Sequence, residues 1–337
     1  GSMNDNTTGS NNVAVGLSAL TSNTTASYNT AVGHSALDAN TTGAANTAHG
    51  YNSLGANTTA NNNTAVGAYT LEDNTTGTAL VAVGAGALKN NTTADNNVAV
   101  GLDALMTNST GTGNTAIGKD ALYTNNANNN TAVGLDALTA NTTGTENIAI
   151  GVTAGGSVTT GSNNTNIGYD SNASSTTNNN NTSLGSHTLQ DNTGSNNTAI
   201  GQAALKENTT GGHNVAVGMQ AGLNVTTGGS NTIVGTGVAE SLSTGSDNTM
   251  VGRAAGNAVT TGSNNLLLGH DSGQTGSPGG AVTTDSNYLV LGDENLAYSG
   301  IQVDWTVASD ERDKTDFTPL DVGLDFVKAL APVTYKW

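Results

Sequence analysis

The sequence predicts an all-β fold, a parallel β-solenoid (β-roll) of about sixteen coils. A motif of the type Asn-Thr-Ala-Val-Gly, as at residues 63–67, recurs almost from end to end, and its closing glycine returns every 17 residues except for two steps of 16. A short fixed period is the signature of a solenoid, in which each repeat buries its apolar face by stacking on the next. The sixteen marker glycines are Gly16, Gly33, Gly50, Gly67, Gly84, Gly101, Gly118, Gly134, Gly151, Gly168, Gly185, Gly201, Gly218, Gly235, Gly252 and Gly269.

The composition excludes several other classes of protein. Only 10% of the residues are charged and 4% are aromatic, which in an irregular sequence would indicate disorder. Here the apolar positions keep their register through the repeat, so we expect a folded shaft. The chain has no cysteine, so disulfides do not stabilise it and the redox compartment stays undetermined.

The formal charge of -17 reflects few basic residues, with only 8 Lys and Arg in all. Nucleic acid is therefore not an expected partner, and no apolar run is long enough for membrane insertion. The five histidines lack metal-ligand spacing, so we expect no metal and no cofactor, although His49 and His270 could form rings on a three-fold axis. The histidines are His34, His49, His187, His213 and His270.

Each coil begins with an alternating strand pattern. In most coils Val, Ile or Leu precedes the marker glycine, and Thr, Val, Ile or Leu stands two residues earlier, as with Thr64 and Val66. We expect this β-branched pair to be the half-buried face of the strand. The alanine between them, Ala65 in this coil, then faces a close-packed neighbour such as another subunit. That second interface becomes more apolar late in the repeat, at Ile233, Met250 and Leu267.

The second half of the coil has two forms. In most coils Leu lies four residues after the marker and Asn three residues further on, whereas other coils have a small residue followed by an apolar one. Because one position loses volume where the other gains it, we expect both side chains in one core. The Leu form includes Leu20 with Asn23 and Leu205 with Asn208, and the small form includes Gly155 with Val158, Gly222 with Val225, Ala239 with Leu242, and Gly256 with Val259. Asn172 with Ser175 fits neither form and marks a weak coil.

A further asparagine recurs four residues before the marker glycine, and only Leu80 departs from the pattern. Stacked in register, these side chains can form amide ladders along the axis. At roughly 4.8 Å per coil, sixteen coils make a rod about 75 Å long. The sequence therefore predicts a spacer or presenting shaft.

These coils, of the type Asn-Thr-Ala-Val-Gly-x-x-Ala-Leu, resemble the head repeats of trimeric autotransporter adhesins and related shafts of phage tail fibres. Both are trimeric parallel β-rolls, so the resemblance implies that the chain is a homotrimer. The period here is longer than the usual adhesin repeat.

The chain changes character after residue 269. Residues 1–3 are interpreted as a tag remnant, 4–269 as the solenoid shaft, 270–308 as a small β neck, and 309–337 as a separate segment with half of all the basic residues. Strand patterning appears at 288–292 and again at 301–305. Leu320, Leu324 and Val327 follow helical spacing and predict a short C-terminal α segment that Pro332 closes.

The last segment, Ser309-Asp310-Glu311-Arg312 onward to Tyr335-Lys336-Trp337, resembles the start of the endosialidase-type intramolecular chaperone of phage tailspikes and fibres. That domain trimerises, assists folding of a β-rich shaft and cuts itself off. The resemblance implies that Ser309 attacks the bond after Ala308 with Lys314 as its general base, which requires a lowered lysine pKa. Asp313 stands where the family has an apolar residue and opposes that lowering. Because the resemblance ends before the chaperone body, we expect cleavage in a full-length protein and not in this chain.

The function expected from these observations is the structural and adhesive shaft of a trimeric phage tail fibre, located in the virion and extracellular. Its partners are then two further copies of itself and a bacterial surface receptor, for which a polysaccharide is one candidate. The protein is not expected to be an enzyme, apart from single-turnover self-cleavage. A bacterial trimeric adhesin head is the near alternative.

An ice-binding solenoid is an alternative of a different class. A Thr-Thr pair recurs in many coils, as at Thr41-Thr42 and Thr75-Thr76, and a regular threonine ladder can order water. Adjacent residues of a strand point to opposite faces, however, so the pairs do not form a flat array of two columns.

Overall fold

The computed structural model describes residues 1–298, and it confirms the parallel β-solenoid. The predicted strand at 301–305 and the predicted α segment lie outside the described residues. Within residues 1–298, the structure has no helix whose length and apolarity would allow a bilayer crossing. The strands are β1 Val13–Val15, β2 Thr30–Val32, β3 Thr47–His49, β4 Thr64–Val66, β5 Val81–Val83, β6 Val98–Val100, β7 Thr115–Ile117, β8 Thr131–Val133, β9 Ile148–Ile150, β10 Thr165–Ile167, β11 Thr182–Leu184, β12 Thr198–Ile200, β13 Val215–Val217, β14 Thr232–Val234, β15 Thr249–Val251, β16 Leu266–Leu268 and β17 Leu289–Leu291.

Every strand pairs in parallel with the strand of the next coil, and equivalent repeat positions face each other. In β4 and β5, for example, Thr64 lies opposite Val81 and Val66 lies opposite Val83. The final strand, β17, pairs with β16 in the same way. The repeat in the sequence marks sixteen coils, and the structure has a seventeenth, whose strand is β17. The 17-residue period does not show this coil, because the step from Gly269 to Gly292 contains extra residues that form a loop.

The structure reverses the predicted faces of the strand. The central alanine, Ala65 in β4, is fully buried inside its own coil, whereas the flanking Thr64 is partly exposed and Val66 is exposed. The prediction that the alanine column faces another subunit is therefore wrong. The large central residues late in the repeat, such as Ile233, are also fully buried in the coil. A coil of 17 residues encloses a narrow core, so the small side chain points inward and the β-branched pair points outward.

The two forms of the second half-coil do feed one core, as their volumes predict. Leu20 and Asn23 are both fully buried, and so is Val158 in the small form. The structure adds a third partner, the central strand residue of the next coil. A Cβ at Gly222 would lie 2.9 Å from Ile233 Cδ1, so glycine there makes room for the isoleucine. Gly155 stands in the same relation to Asn166, and Gly256 to Leu267.

The marker glycine is required at the corner after each strand. Gly67 has φ +133°, a backbone conformation that residues with a side chain rarely adopt. A Cβ there would lie 2.8 Å from the carbonyl oxygen of Gly84 in the next coil. The marker column therefore combines a glycine-only conformation with a close approach of two backbones.

The buried asparagines connect successive coils through two columns. In the column before the strand, Asn46 Nδ2 donates to the Ala60 carbonyl at 2.8 Å and Asn46 Oδ1 accepts from the Asn63 N–H at 3.0 Å. In the column after the leucine, the amides join directly, with 2.8 Å from Asn57 Nδ2 to Asn40 Oδ1. The predicted amide ladder is therefore clearest in this second column. Each amide satisfies polar groups that a narrow core would otherwise leave unpaired.

In most Thr-Thr pairs, one threonine makes a hydrogen bond between successive coils. The hydroxyl of the first threonine donates to the backbone of the next coil, as Thr41 Oγ1 does to the Thr58 carbonyl at 3.0 Å and Thr75 Oγ1 does to the Thr92 carbonyl at 3.0 Å. This column stabilises stacking.

Candidate functional site

The most extensive surface feature is the outward strand face, which we define as the residues three and one before each marker glycine and the one directly after it. Its side chains are largely apolar and exposed, with exposed fractions of 62% for Leu17, 40% for Ile150 and 39% for Leu291. The exposed apolar members are Val13, Val15, Leu17, Tyr51, Val66, Val81, Val83, Leu102, Ile117, Leu135, Ile148, Ile150, Val152, Tyr169, Leu184, Val215, Met219, Val251, Leu266, Leu289 and Leu291.

This face follows from the strand geometry. Positions before and after the marker share one side at period two, and in-register pairing repeats that side in every coil. A contiguous apolar surface of this length is unusual for a protein that remains a monomer, and such surfaces mark interaction sites.

The charge of the outward strand face differs from that of the whole chain. The sequence contains 25 Asp and Glu, yet between residues 13 and 270 none of them occupies a position of this face. Its cationic members in that range are Lys119 and Arg253, apart from histidines. Two copies of the face can therefore approach without repulsion between carboxylates, although the chain carries a net charge of -17.

A second feature is a row of aromatic rings at the rim of that face, which we call the aromatic row: His34, Tyr51 and Tyr69. The centroids of His34 and Tyr51 are 5.4 Å apart in a stacked arrangement, and those of Tyr51 and Tyr69 are 5.1 Å apart, edge to face. Both tyrosines are more than two-fifths exposed. They come from successive coils, so the solenoid spacing of about 4.8 Å brings them into contact.

Polar groups continue the aromatic row toward the next coils. Lys89 Nζ lies 5.3 Å from the Tyr69 ring centroid and 3.4 Å from Glu72 Oε2. Asn52 Nδ2 donates to Glu72 Oε1 at 2.5 Å. Exposed rings beside amide, carboxylate and ammonium groups can contact the apolar face of a ligand and also hydrogen-bond its hydroxyls.

An acidic row lies on the next three coils, formed by Asp103, Asp120 and Asp136 around an open depression that Tyr123 also lines. The Lys119 ammonium lies 2.6 Å from Asp120 Oδ2. The hydrogen bond and the charge of Asp120 raise the pKa of Lys119 above its ordinary value. This row adds a local negative surface to the shaft.

A histidine joins the last two coils. His270 Nδ1 lies 3.2 Å from Asp293 Oδ2, and His270 Nε2 lies 3.2 Å from Asp271 Oδ2 and also contacts the Arg253 guanidinium. Hydrogen bonds from Asn295 and then from His270 lower the pKa of Asp293. The three ligand-type groups lie within 4.8 Å of one another, the spacing of a metal site. Both ring nitrogens already have protein partners, so side-chain contacts through His270 connect the last two coils.

The predicted catalytic residues cannot be placed, because Ser309, Lys314 and Ala308 lie outside the described residues. Of the two histidines considered for axial rings, His49 lies on the outward strand face in β3 and His270 lies in the network described above. The sequence analysis missed the aromatic row. The available signal was that Tyr51 and Tyr69, one or two residues after successive markers, are two of only 8 tyrosines.

Residues 309–337 match the family described as chaperone of endosialidase, which confirms the predicted resemblance of this segment to that domain. No curated protein matches the chain.

Proposed function

We propose that the chain is the shaft of a homotrimeric phage tail fibre that takes part in attachment to a bacterial host, in the virion and extracellular. The observation that carries this proposal is the chaperone-of-endosialidase segment at residues 309–337, which follows a long β-solenoid. The same segment favours a fibre over a bacterial adhesin head, since adhesins of that class continue into coiled coils and membrane anchors.

The occupant proposed for the outward strand face is two further copies of the chain. The face runs along the whole described shaft and has almost no carboxylates, so a parallel neighbour in the same register meets apolar side chains at every coil. Burying such side chains gains roughly 25 cal/mol per Å². A closed cyclic arrangement also covers the strand positions of the face in every copy, which an open pair would not achieve, and it leaves the rim with the aromatic row accessible.

For the chaperone segment we propose single-turnover self-cleavage in a chain that contains the complete chaperone. Ser309 Oγ attacks the Ala308 carbonyl carbon while Lys314 takes the hydroxyl proton. The peptide bond to Ser309 N then breaks as Lys314 returns that proton to the leaving amine, and water hydrolyses the resulting ester to the Ala308 carboxylate and the free Ser309 hydroxyl. We expect Ser309→Ala to leave one uncut band on a denaturing gel, where the parent gives two fragments. Lys314→Ala should slow the cut severely, and fragments from both variants at the parental rate would contradict the assignment.

For the receptor we propose a surface polysaccharide that contacts the aromatic row. A fluorescently labelled assembly is incubated with a panel of bacterial strains before and after periodate oxidation of the surface sugars. We expect oxidation to abolish binding, and we expect the double variant Tyr51→Ala/Tyr69→Ala to lower it by about tenfold or more.

Tyr28→Ala is the matched control, because Tyr28 is exposed but has no contact with the aromatic row. Binding that survives oxidation would contradict a sugar receptor. Parental binding by the double variant would place the receptor contact elsewhere on the protein.

A further inference from the structure

The apolar core of the shaft is divided in two. One cluster of buried apolar residues ends at Val158 and the other begins at Leu189. Every buried side chain between them is polar, and we call residues 164–188 the polar section. Its buried side chains are Asn164, Asn166, Ser171, Asn172, Ser175, Asn178, Asn181, Ser183 and Thr188.

The polar section departs from the repeat at the positions that form the core elsewhere. Asn166 and Ser183 occupy the central strand position, which is alanine in most other coils. Asn172 stands at the leucine position and Ser175 at the asparagine position. Asn178 replaces a residue that is Ala or Gly in the other coils with markers from Gly16 to Gly269, and its side chain is buried.

These replacements satisfy only part of their own hydrogen-bonding capacity. Asn178 Nδ2 donates to Asn172 Oδ1 at 3.1 Å, and the Ser183 hydroxyl donates to Asn166 Oδ1 at 3.0 Å. Four buried atoms nevertheless have no hydrogen-bond partner in the protein: Asn166 Nδ2, Asn172 Nδ2, Ser175 Oγ and Asn178 Oδ1. An unpaired polar atom in a low-dielectric core raises the free energy of the folded state.

The backbone is also less well bonded here. In the coil before, the Val158 N–H donates to the Gly155 carbonyl at 3.0 Å, and in the coil after, the Asn192 N–H donates to the Leu189 carbonyl at 3.2 Å. The equivalent bond is absent at Ser175. The next amide, that of Thr176, also lacks the bond to the following coil that its counterpart Thr159 makes at 2.9 Å.

From these observations we propose that water enters the shaft at the polar section, which is where the shaft opens first and which separates two blocks that unfold independently. Opening there exposes little apolar surface and gives four unpaired atoms hydrogen bonds with water. In a solenoid, stability is a sum of coils and nearest-neighbour interfaces, so one weak interface uncouples the blocks on its two sides.

Hydrogen exchange of the full chain, in the assembly that it forms, tests this proposal. We expect amides of residues 172–180 to exchange at least about tenfold faster than those at the equivalent positions of two coils outside the polar section, 88–96 and 222–230. In urea, we expect peptides from 4–160 and from 190–292 to lose protection at different concentrations. Equal protection along the shaft, or one common transition, would overturn the proposal.

A repaired variant gives a second, independent readout. The ninth and the thirteenth coils have the same core residues, which are an alanine, a glycine and a valine: Ala149, Gly155 and Val158 in the ninth, and Ala216, Gly222 and Val225 in the thirteenth. The tenth coil can therefore take the core residues of the fourteenth. That variant is Asn166→Ile, Asn172→Ala, Ser175→Leu and Asn178→Gly. The glycine is needed because a Cβ at Gly245 would lie 2.7 Å from Leu242 Cδ1 in the fourteenth coil.

We expect the repaired variant to slow exchange at 172–180 by about tenfold and to merge the two urea transitions into one. Thr177→Ala, an exposed change in the same coil, is the control and should change neither readout. A folded repaired variant with parental exchange at 172–180 would show that the buried polar atoms do not set the opening. If the repaired variant fails to fold, the exchange rates of residues 172–180 against those of residues 88–96 and 222–230 in the parent protein still test the proposal.

Discussion

At the scale of the residue, the fold depends on side chains held in the left-handed backbone region. The buried leucine that fills most coils has positive φ, 51° at Leu20 and 52° at Leu105. This conformation costs a non-glycine residue about 1–2 kcal/mol, and the leucine compensates by filling the core. Where glycine stands instead, as at Gly222 with φ 62°, the backbone relaxes and a larger neighbour supplies the volume.

The marker glycine has no such substitute. We expect Gly67→Ala to destabilise the shaft by about 2 kcal/mol or more, because the new Cβ meets the Gly84 backbone at 2.8 Å in a conformation already unfavourable for alanine. The urea midpoint of the assembly measures the change. Gly279→Ala is the matched control, since Gly279 also has positive φ but no atom lies within 4 Å of its Cβ position. Equal losses from both changes would mean that the close approach of the coils is not what requires glycine.

At the scale of the element, a coil behaves as one packing unit whose core slot is shared with the next coil. The sequence predicted the period, the asparagine columns and the exchange of volume between Leu and Asn positions, because each repeats often enough to be seen. It placed the strand faces the wrong way round. Alternation shows that Thr64 and Val66 share a side, but both sides of this strand are apolar and the pattern alone cannot say which side is enclosed.

The same reasoning explains two other gaps. The seventeenth coil was missed because its marker, Gly292, follows a loop that breaks the period. The aromatic row was missed because Tyr51 and Tyr69 occupy different repeat positions and meet only after the coils stack.

The shared core slot can be tested by a double-mutant cycle. We expect Leu105→Gly to cost about 3 kcal/mol through the cavity that it leaves, and Ala116→Ile to cost about 1–3 kcal/mol through overpacking. The double variant reproduces the Gly222 and Ile233 pair, so its urea midpoint should return to within about 1 kcal/mol of the parent. Additive losses would show that the two positions do not share a slot.

At the scale of the whole molecule, a solenoid that stacks its own coils still leaves one long apolar face exposed. The inward face holds alanine, leucine and asparagine, and the outward strand face presents apolar side chains with almost no acidic ones. Together with the chaperone segment, this asymmetry supports a fibre whose shaft is completed by further copies of itself. A solitary rod would carry that apolar face in water along its whole length.

The mass in solution, measured by light scattering after size exclusion, tests this central claim most directly. We expect three chains, about 100 kDa from three times 33.3 kDa. We also expect Ile150→Glu, which brings three carboxylates together on the outward strand face, to shift the mass toward one chain. Thr143→Glu, an exposed change away from that face, should leave the trimer intact. A mass of one chain for the parent protein would contradict the trimeric shaft and leave its apolar face without an occupant.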